Sequence, residues 1–436
     1  MSNANTNSGE LYLLDGKIST AQAVPFGLQH ILAMFVPNIA PIFIVGSACK
    51  LAPNELAFLI QAAMIIAGIG TMIQVFPIGP IGSRLPIVMG ISFTFVSCAC
   101  VIGAQYGYNG LIGAVIAGGI IEGILGLTSK FWLKYITRTI SACVVTCIGF
   151  SLLPIGAASF GGGFGAKDFG SVNNLIVGSI TLISCLTFTV KAHGIYRQLS
   201  VLFGLTVGYI TAICMGMVNF DLIKKADIIA LPHVLPFAPE FNLNAIIAIT
   251  LIFMVSATET IGDTSAVTIS GLNRQVKESE LSGSVVCDGF VSALSGIFGC
   301  LPITSFSQNV GLIAMTHVVN RRVIAAGAGI MIIAGLFPII GAVLATLPEP
   351  VLGGCTIMMF GNIVISGMSM MKADGLSARN ITIAALSLSI GLGFTSMPKL
   401  FDAFPALFKT VFAENCVAVV FLVAMILHIT LPKDMD

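Results

Sequence analysis

Fourteen stretches of mostly apolar residues, each about a helical bilayer crossing long, follow one another along this chain. They lie at 25–48, 55–76, 85–105, 108–128, 138–157, 172–190, 197–217, 243–264, 282–299, 302–319, 323–346, 348–366, 378–397 and 411–430. A segment surrounded by lipid must satisfy its backbone polar groups internally, and a helix does so. The pattern predicts an all-α integral membrane protein of fourteen transmembrane spans. Composition closes off the soluble alternative. Only 9% of residues are charged and 56% are hydrophobic, where a soluble domain carries about 25% charged residues. A soluble fold this apolar would expose large patches and aggregate.

The loops orient the spans. With the N-terminus in the cytosol, fourteen of the 20 Lys and Arg residues fall on inside segments and six on outside segments, as the positive-inside rule requires. Both termini are then cytosolic, and the expected location is the cell's inner, or plasma, membrane. Residues 1–24 read as a cytosolic tail, and 1–10 lack a basic region followed by an apolar one, so they do not form a secretory signal. Residues 431–436 form the cytosolic C-terminus. Residues 218–242, with Pro232, Pro236 and Pro239, form the longest exposed loop, on the outside. A net charge of +1 offers no field for nucleic acid. The eleven cysteines show no C-x-x-C pair and mostly sit in apolar runs, which predicts neither disulfide framework nor structural metal.

Two spans open in the same way. Leu85-Pro86-Ile87 begins the third, and Leu301-Pro302-Ile303 begins the tenth, 216 residues later. Seven spans separate them, so one enters from the cytosol and the other from outside. Such copies are related by an axis in the membrane plane. Proline lacks a backbone donor and disfavours helix in the residue before it. Each segment should therefore start extended and turn helical only after Gly90 or Ser307. Non-helical backbone at membrane depth survives only when buried in protein or lining a polar cavity, so the two breaks mark a binding site.

Ionisable residues inside spans are costly and usually functional. Span eight carries Glu259 and Asp263, four apart and so on one helix face. Asp288 lies in span nine, with a proton-relay or site-supporting role. Asp263 stands near the cytosolic end of its span, as a capping, gating or structural group. Glu122, in span four, reads as a solvated end-of-helix residue. Gln308 and Asn309 are adjacent amides where the tenth helix starts, suited to a ligand more than to capping. Gln29 and His30 interrupt span one, and His30 is either functional or bonded to a backbone carbonyl. No Walker loop, H-E-x-x-H or G-x-S-x-G occurs, so the chain carries no enzyme motif.

The run Gln308-Asn309-Val310-Gly311, with Thr316 after it, resembles the signature of the nucleobase–ascorbate transporter family, also called nucleobase:cation symporter-2. Gln29-His30, Glu259-Thr-Ile-Gly-Asp263 and Asp288-Gly289 are similar to its supporting motifs. The resemblance spans essentially the whole chain. It implies two inverted seven-span repeats with short strands in broken spans 3 and 10. It also implies a core domain of 25–128 and 243–346 (spans 1–4 and 8–11) and a gate domain of 129–217 and 347–430 (spans 5–7 and 12–14). The core would move against the gate in an elevator-like way, and the gate would form a homodimer.

Gln308 at the first signature position is similar to xanthine and urate carriers; Glu there would resemble uracil permeases. Val310 stands where some xanthine carriers have a second Asn, which leaves xanthine and urate both open. The expected function is uptake of a purine base with a proton as coupling ion and no cofactor. Glu259 would accept from ring N–H groups, and Gln308 would pair with a lactam edge through its donor and acceptor. Phe93 would stack on the ring, and the free N–H groups of Phe93 and of Ser307 or Gln308 would meet substrate oxygens. Asn309 would brace the site. Glu259 or Asp288 would carry the proton, with His30 and Asp263 in support. Two alternatives stand beside this: a uracil permease, disfavoured by Gln308, and an anion transporter of the same fold, disfavoured by a mid-membrane Glu259.

Overall fold

The computed structural model describes residues 9–432 except 133, 134, 225, 226, 228, 406, 407 and 414. Residues 1–8 and 433–436 of the two expected tails lie outside the described residues.

Helix α1 (Thr20–Ala48) starts one residue after Ser19, whose N–H donates to the Gln22 side chain at 3.2 Å. Helix α2 (Pro53–Val75) places a proline in its first turn, where no amide donor is needed. Residues 85–87 make a tight turn around Pro86, with Ile87 N–H donating to Leu85 O at 2.8 Å, and strand β1 (Met89–Ile91) follows. A 3₁₀ turn at Phe93–Phe95 leads into α3 (Val96–Leu127). Gly107, at φ 73° and ψ 170°, breaks α3, a conformation that only glycine adopts without strain. The expected third and fourth spans therefore meet at that residue.

Next come α4 (Arg138–Phe160), α5 (Val172–Lys191) and α6 (Ser200–Cys214). Helix α7 (Leu243–Leu272) and helix α8 (Glu278–Ile297) lead to strand β2 (Ile303–Ser305). Helix α9 (Ser307–Thr316) begins two residues after that strand. The chain ends with α10 (Arg321–Gly335), α11 (Pro338–Ala345), α12 (Glu349–Asp374), α13 (Ala378–Thr395) and α14 (Cys416–Thr430). Among the described residues, seven helices are long and apolar enough to cross a membrane, or eight with α10 and α11 taken as one span. The other expected segments are occupied by α8 and α13, by the shorter α6 and α14, or by the strand–helix units.

β1 and β2 pair antiparallel, with Met89 opposite Ser305, Gly90 opposite Thr304 and Ile91 opposite Ile303. Two flanking bonds extend the pairing: Ser92 N–H to Pro302 O at 3.2 Å and Phe306 N–H to Val88 O at 2.9 Å. The repeat-related breaks thus satisfy each other's backbone deep in the protein, where all six strand residues are buried.

The helices pack in two sets. In the first, α3 lies along α7 and α8, α10 lies along α1 and α2, and α11 rests on α2; this set surrounds the strands. In the second, α12 lies along α4 and α5, α5 along α6, and α14 along α13 and α4. The sets meet through α7 against α4 and α14, and through α1 against α6 and α12. Apolar side chains on the outside, such as Ile183 and Val190 of α5 and Ile426 of α14, are exposed. A hydrocarbon solvent makes that favourable.

Three expectations need correction. Span 11 is not continuous: α10 and α11 bend by 78°, because Pro338 cannot donate into the preceding turn. Span 8 runs eight residues past the expected 264, so Asp263 is inside a helix and not at its end. Glu122 is fully buried and not solvated. The described part of the tail, within its expected bounds, packs against the protein. Leu11 and Ile18 are buried, and Leu11 O accepts from Val319 and Asn320 N–H, both at 3.2 Å.

Candidate functional site

The site is built where α9 leaves β2 and faces α7. Phe306 occupies the cap position of α9 in extended conformation and offers no side-chain cap. The first N–H groups of a helix lack internal partners, so those of Ser307 and Gln308 point out of the helix start with no carbonyl behind them. The 3₁₀ turn at Phe93 presents the same kind of end from the other strand, where Ser92 Oγ accepts from Thr94 N–H at 3.2 Å. Two helix starts therefore converge from opposite directions, and their partial positive charge favours electronegative ligand atoms.

Opposite them stand the carboxylates of α7. Glu259 is half-buried. Its Oε2 accepts from Thr94 Oγ1 at 2.6 Å, while Oε1 has only the Ser307 hydroxyl, at 3.5 Å. Ser307 gives its proton instead to Asp263 Oδ2, at 2.9 Å. Glu259 thus keeps one oxygen with spare accepting capacity. One turn along, Asp263 Oδ2 is also 3.1 Å from Ser305 Oγ, which lies 3.1 Å from Thr260 Oγ1. Thr260 donates to Asp288 Oδ2 in a short bond, and Ser305 N–H donates to the same oxygen at 3.2 Å. Asp288 therefore pins β2 and completes a continuous chain of hydroxyls and carboxyls from Thr94 to α8.

Span one is tied in by amides. Asn309 Nδ2 lies 3.0 Å from His30 Nδ1 and donates to His30 O at 3.1 Å. Asn38 Oδ1 accepts from Ile91 N–H at 2.8 Å, and Thr71 Oγ1 accepts from Met89 N–H at 2.9 Å. The outer edge of β1 is thus held by Asn38 and Thr71, and that of β2 by Asp288, as buried backbone requires. Phe93 packs edge-on against Phe360 of α12, with ring centroids 5.4 Å apart. This contact joins the two helix sets beside the site.

The structure brings Glu259, Asp263, Asp288 and Ser307 into one network, and His30 with Asn309 into a second. Gln308 sits exposed at the helix start between them. Phe93 is buried at the mouth. Thr94, Thr260, Ser305, Asn38 and Phe360 were invisible to sequence reasoning, because single hydroxyls and aromatics inside apolar runs carry no motif. Only Thr94 and Ser305 carry a hint, from their place close behind the Leu-Pro-Ile breaks.

Residues 21–400 match the model of a family described as the Permease family. Xanthine permease XanQ of Escherichia coli (strain K12) is 35% identical over 99% of this chain and 96% of its own. Uric acid permease PucK of Bacillus subtilis (strain 168) is 34% identical over 93% of this chain and 95% of its own. Among solved structures, the transmembrane domain of a cyanobacterium bicarbonate transporter, BicA, superposes with a TM-score of 0.61 over 95% of this chain and 98% of that one. At 15% identity, that likeness speaks for the fold alone. The chain is a multi-pass membrane permease and not an enzyme, and it belongs to the nucleobase:cation symporter-2, or nucleobase–ascorbate transporter, family.

Proposed function

We propose that this permease carries a purine base, xanthine first and urate next, into the cell together with a proton. The observation that carries the reading is Glu259 Oε1, which has spare accepting capacity beside the Ser307 hydroxyl at the start of α9, where Gln308 presents an exposed amide. A purine dione offers ring N–H groups to a carboxylate and a lactam edge to an amide that both donates and accepts. Relatives named as xanthine and uric acid permeases support the same class.

In this reading the flat ring lies between the 3₁₀ turn at Phe93 and the start of α9. Free N–H groups at both starts meet its oxygens, and Phe93 covers one edge. Asn309 holds α9 to α1 through His30. The strand-bearing helix set carries the site and slides against the second set, which forms the dimer contact in the plasma membrane. Both termini face the cytosol. A buried carboxyl in the site's hydroxyl chain binds the proton on one side and releases it on the other.

Uptake of radiolabelled xanthine into proteoliposomes, competed by urate, uracil, guanine and hypoxanthine under an imposed pH gradient, tests the proposal. Competition by urate but not by uracil, with proton-driven accumulation, is the expected result. Accumulation driven by Na⁺ alone, or no xanthine flux, overturns it.

A further inference from the structure

Glu122 is fully buried, and among the described residues neither of its carboxyl oxygens has a hydrogen-bond partner. It lies on the stripe of α3 that packs against α8. On that stripe Gly119 and Gly123 let the two backbones touch: a Cβ at Gly289 would stand 2.6 Å from Gly119 O and 2.7 Å from Gly123 Cα. Asp288, the residue before Gly289, is equally buried, and its Oδ1 is also unpartnered. Glu122 and Asp288 each stand one residue from this backbone contact, beside Gly123 and Gly289. Around Asp288 itself stand Glu122 of α3, Glu259 and Asp263 of α7, and its chain neighbour Cys287. No cation is among these groups. The ion pairs among the described residues lie elsewhere, at Arg274–Glu280, Arg321–Asp15, Lys224–Asp221 and Lys409–Asp402.

Two neighbouring carboxyls buried without a counter-ion cannot both be ionised. A lone buried charge costs several kcal/mol even after relaxation, so an unpartnered acid on a helix crossing has no stabilising reason to be there unless it holds a proton. We infer that Glu122 and Asp288 form a two-carboxyl proton site, and that this pair stores the coupling proton at the inner end of the hydroxyl chain leading to Glu259. The inference rests on the proton-coupled reading above and adds Glu122 to it.

The charge bookkeeping is simple. With one proton the pair carries a single negative charge, which Asp288 keeps because its Oδ2 is already bonded by Ser305 N–H and Thr260 Oγ1. A second proton, taken from the outer side, makes the pair neutral. Charge-assisted hydrogen bonds are about twice as strong as neutral ones, so this proton loosens the hold on Ser305. Ser305 ends β2, two residues before Ser307 and three before Gln308. Release of the proton to the cytosol restores the charge and the grip. Proton occupancy of the pair and the position of the substrate-facing helix start are thus linked.

The test compares wild type with Glu122→Gln and Glu122→Asp in proteoliposomes, reading xanthine counterflow and pH-gradient-driven accumulation separately. The expected result is that E122Q loses accumulation above equilibrium while counterflow persists, and that E122D recovers accumulation. Infrared difference spectra of the wild type should show a protonated-carboxyl carbonyl band at neutral pH that is absent from E122Q. E122Q accumulating xanthine with the wild-type dependence on the pH gradient overturns the pair. Should E122Q fail to insert, the wild-type spectrum decides alone, and a missing carboxyl band overturns the pair. A wild type that moves no purine overturns the reading of the site and not the pair, which the infrared band reports independently.

Discussion

The Thr94 hydroxyl donates to Glu259 Oε2 at 2.6 Å, joining residues 165 positions apart in the chain. One comes from the turn after β1 and the other from the middle of α7. The bond fixes the carboxylate so that its second oxygen faces the start of α9. Thr94→Val keeps the shape and removes the donor. A hydrogen bond to a charged group is worth about 1.5–3 kcal/mol, so xanthine affinity should fall by about tenfold or more. Thr94→Ser should restore most of it. Equilibrium binding to the purified variants measures both.

Gln308→Glu replaces two amide donors with an acceptor. A purine carbonyl then faces an oxygen where it had an N–H, and a buried group loses its partner at about 1–3 kcal/mol. Xanthine uptake should weaken, and the order of competing bases should change. Analogue competition curves on the variant check this; curves that superpose on wild type would remove Gln308 from the site.

Asn309→Ala leaves the buried His30 carbonyl and ring nitrogen without the amide that serves them at 3.1 and 3.0 Å. The cost should be about 1–3 kcal/mol of stability, seen as a lower melting temperature of detergent-purified protein. Transport should fall because α9 loses its tie to α1. An unchanged melting curve would mean that the tie contributes nothing.

Much of this architecture could be read from residue chemistry. Apolar length located the helices, and two Leu-Pro-Ile openings located β1 and β2, because proline forces extended backbone and membrane depth then forces a partner. Contacts set by three-dimensional approach could not be read. Glu122 looked like a helix-end residue because its burial depends on α8 crossing at Gly119 and Gly123, far off in sequence. Asp263 looked terminal because α7 continues through polar Thr264, Ser265 and Thr268, whose hydroxyls bond back to their own helix. The break before Pro338 was hidden inside an unbroken apolar run.

In the connection from α7 to α8, Arg274 forms a two-pronged ion pair with Glu280 of α8, at 2.8 and 2.5 Å. Partial burial alone would push the Glu280 carboxyl up. The Arg274 guanidinium and the Lys277 N–H outweigh it and hold the group below the usual carboxylate range. A depressed folded-state value means the pair stabilises above the unfolded value and is lost as pH falls through the folded one. Glu280→Gln should therefore melt lower than wild type at neutral pH, and the two curves should converge below about pH 4. A pH series of thermal melts tests the sign.

The most direct test of the account is xanthine binding by calorimetry to wild type and to Glu259→Gln, both shown to be folded by their melting curves. Wild type should bind xanthine, with urate displacing it and uracil not, and the variant should lose about ten- to a hundredfold in affinity, the worth of a charge-assisted bond. Equal binding by both proteins would contradict a pocket organised around that carboxylate.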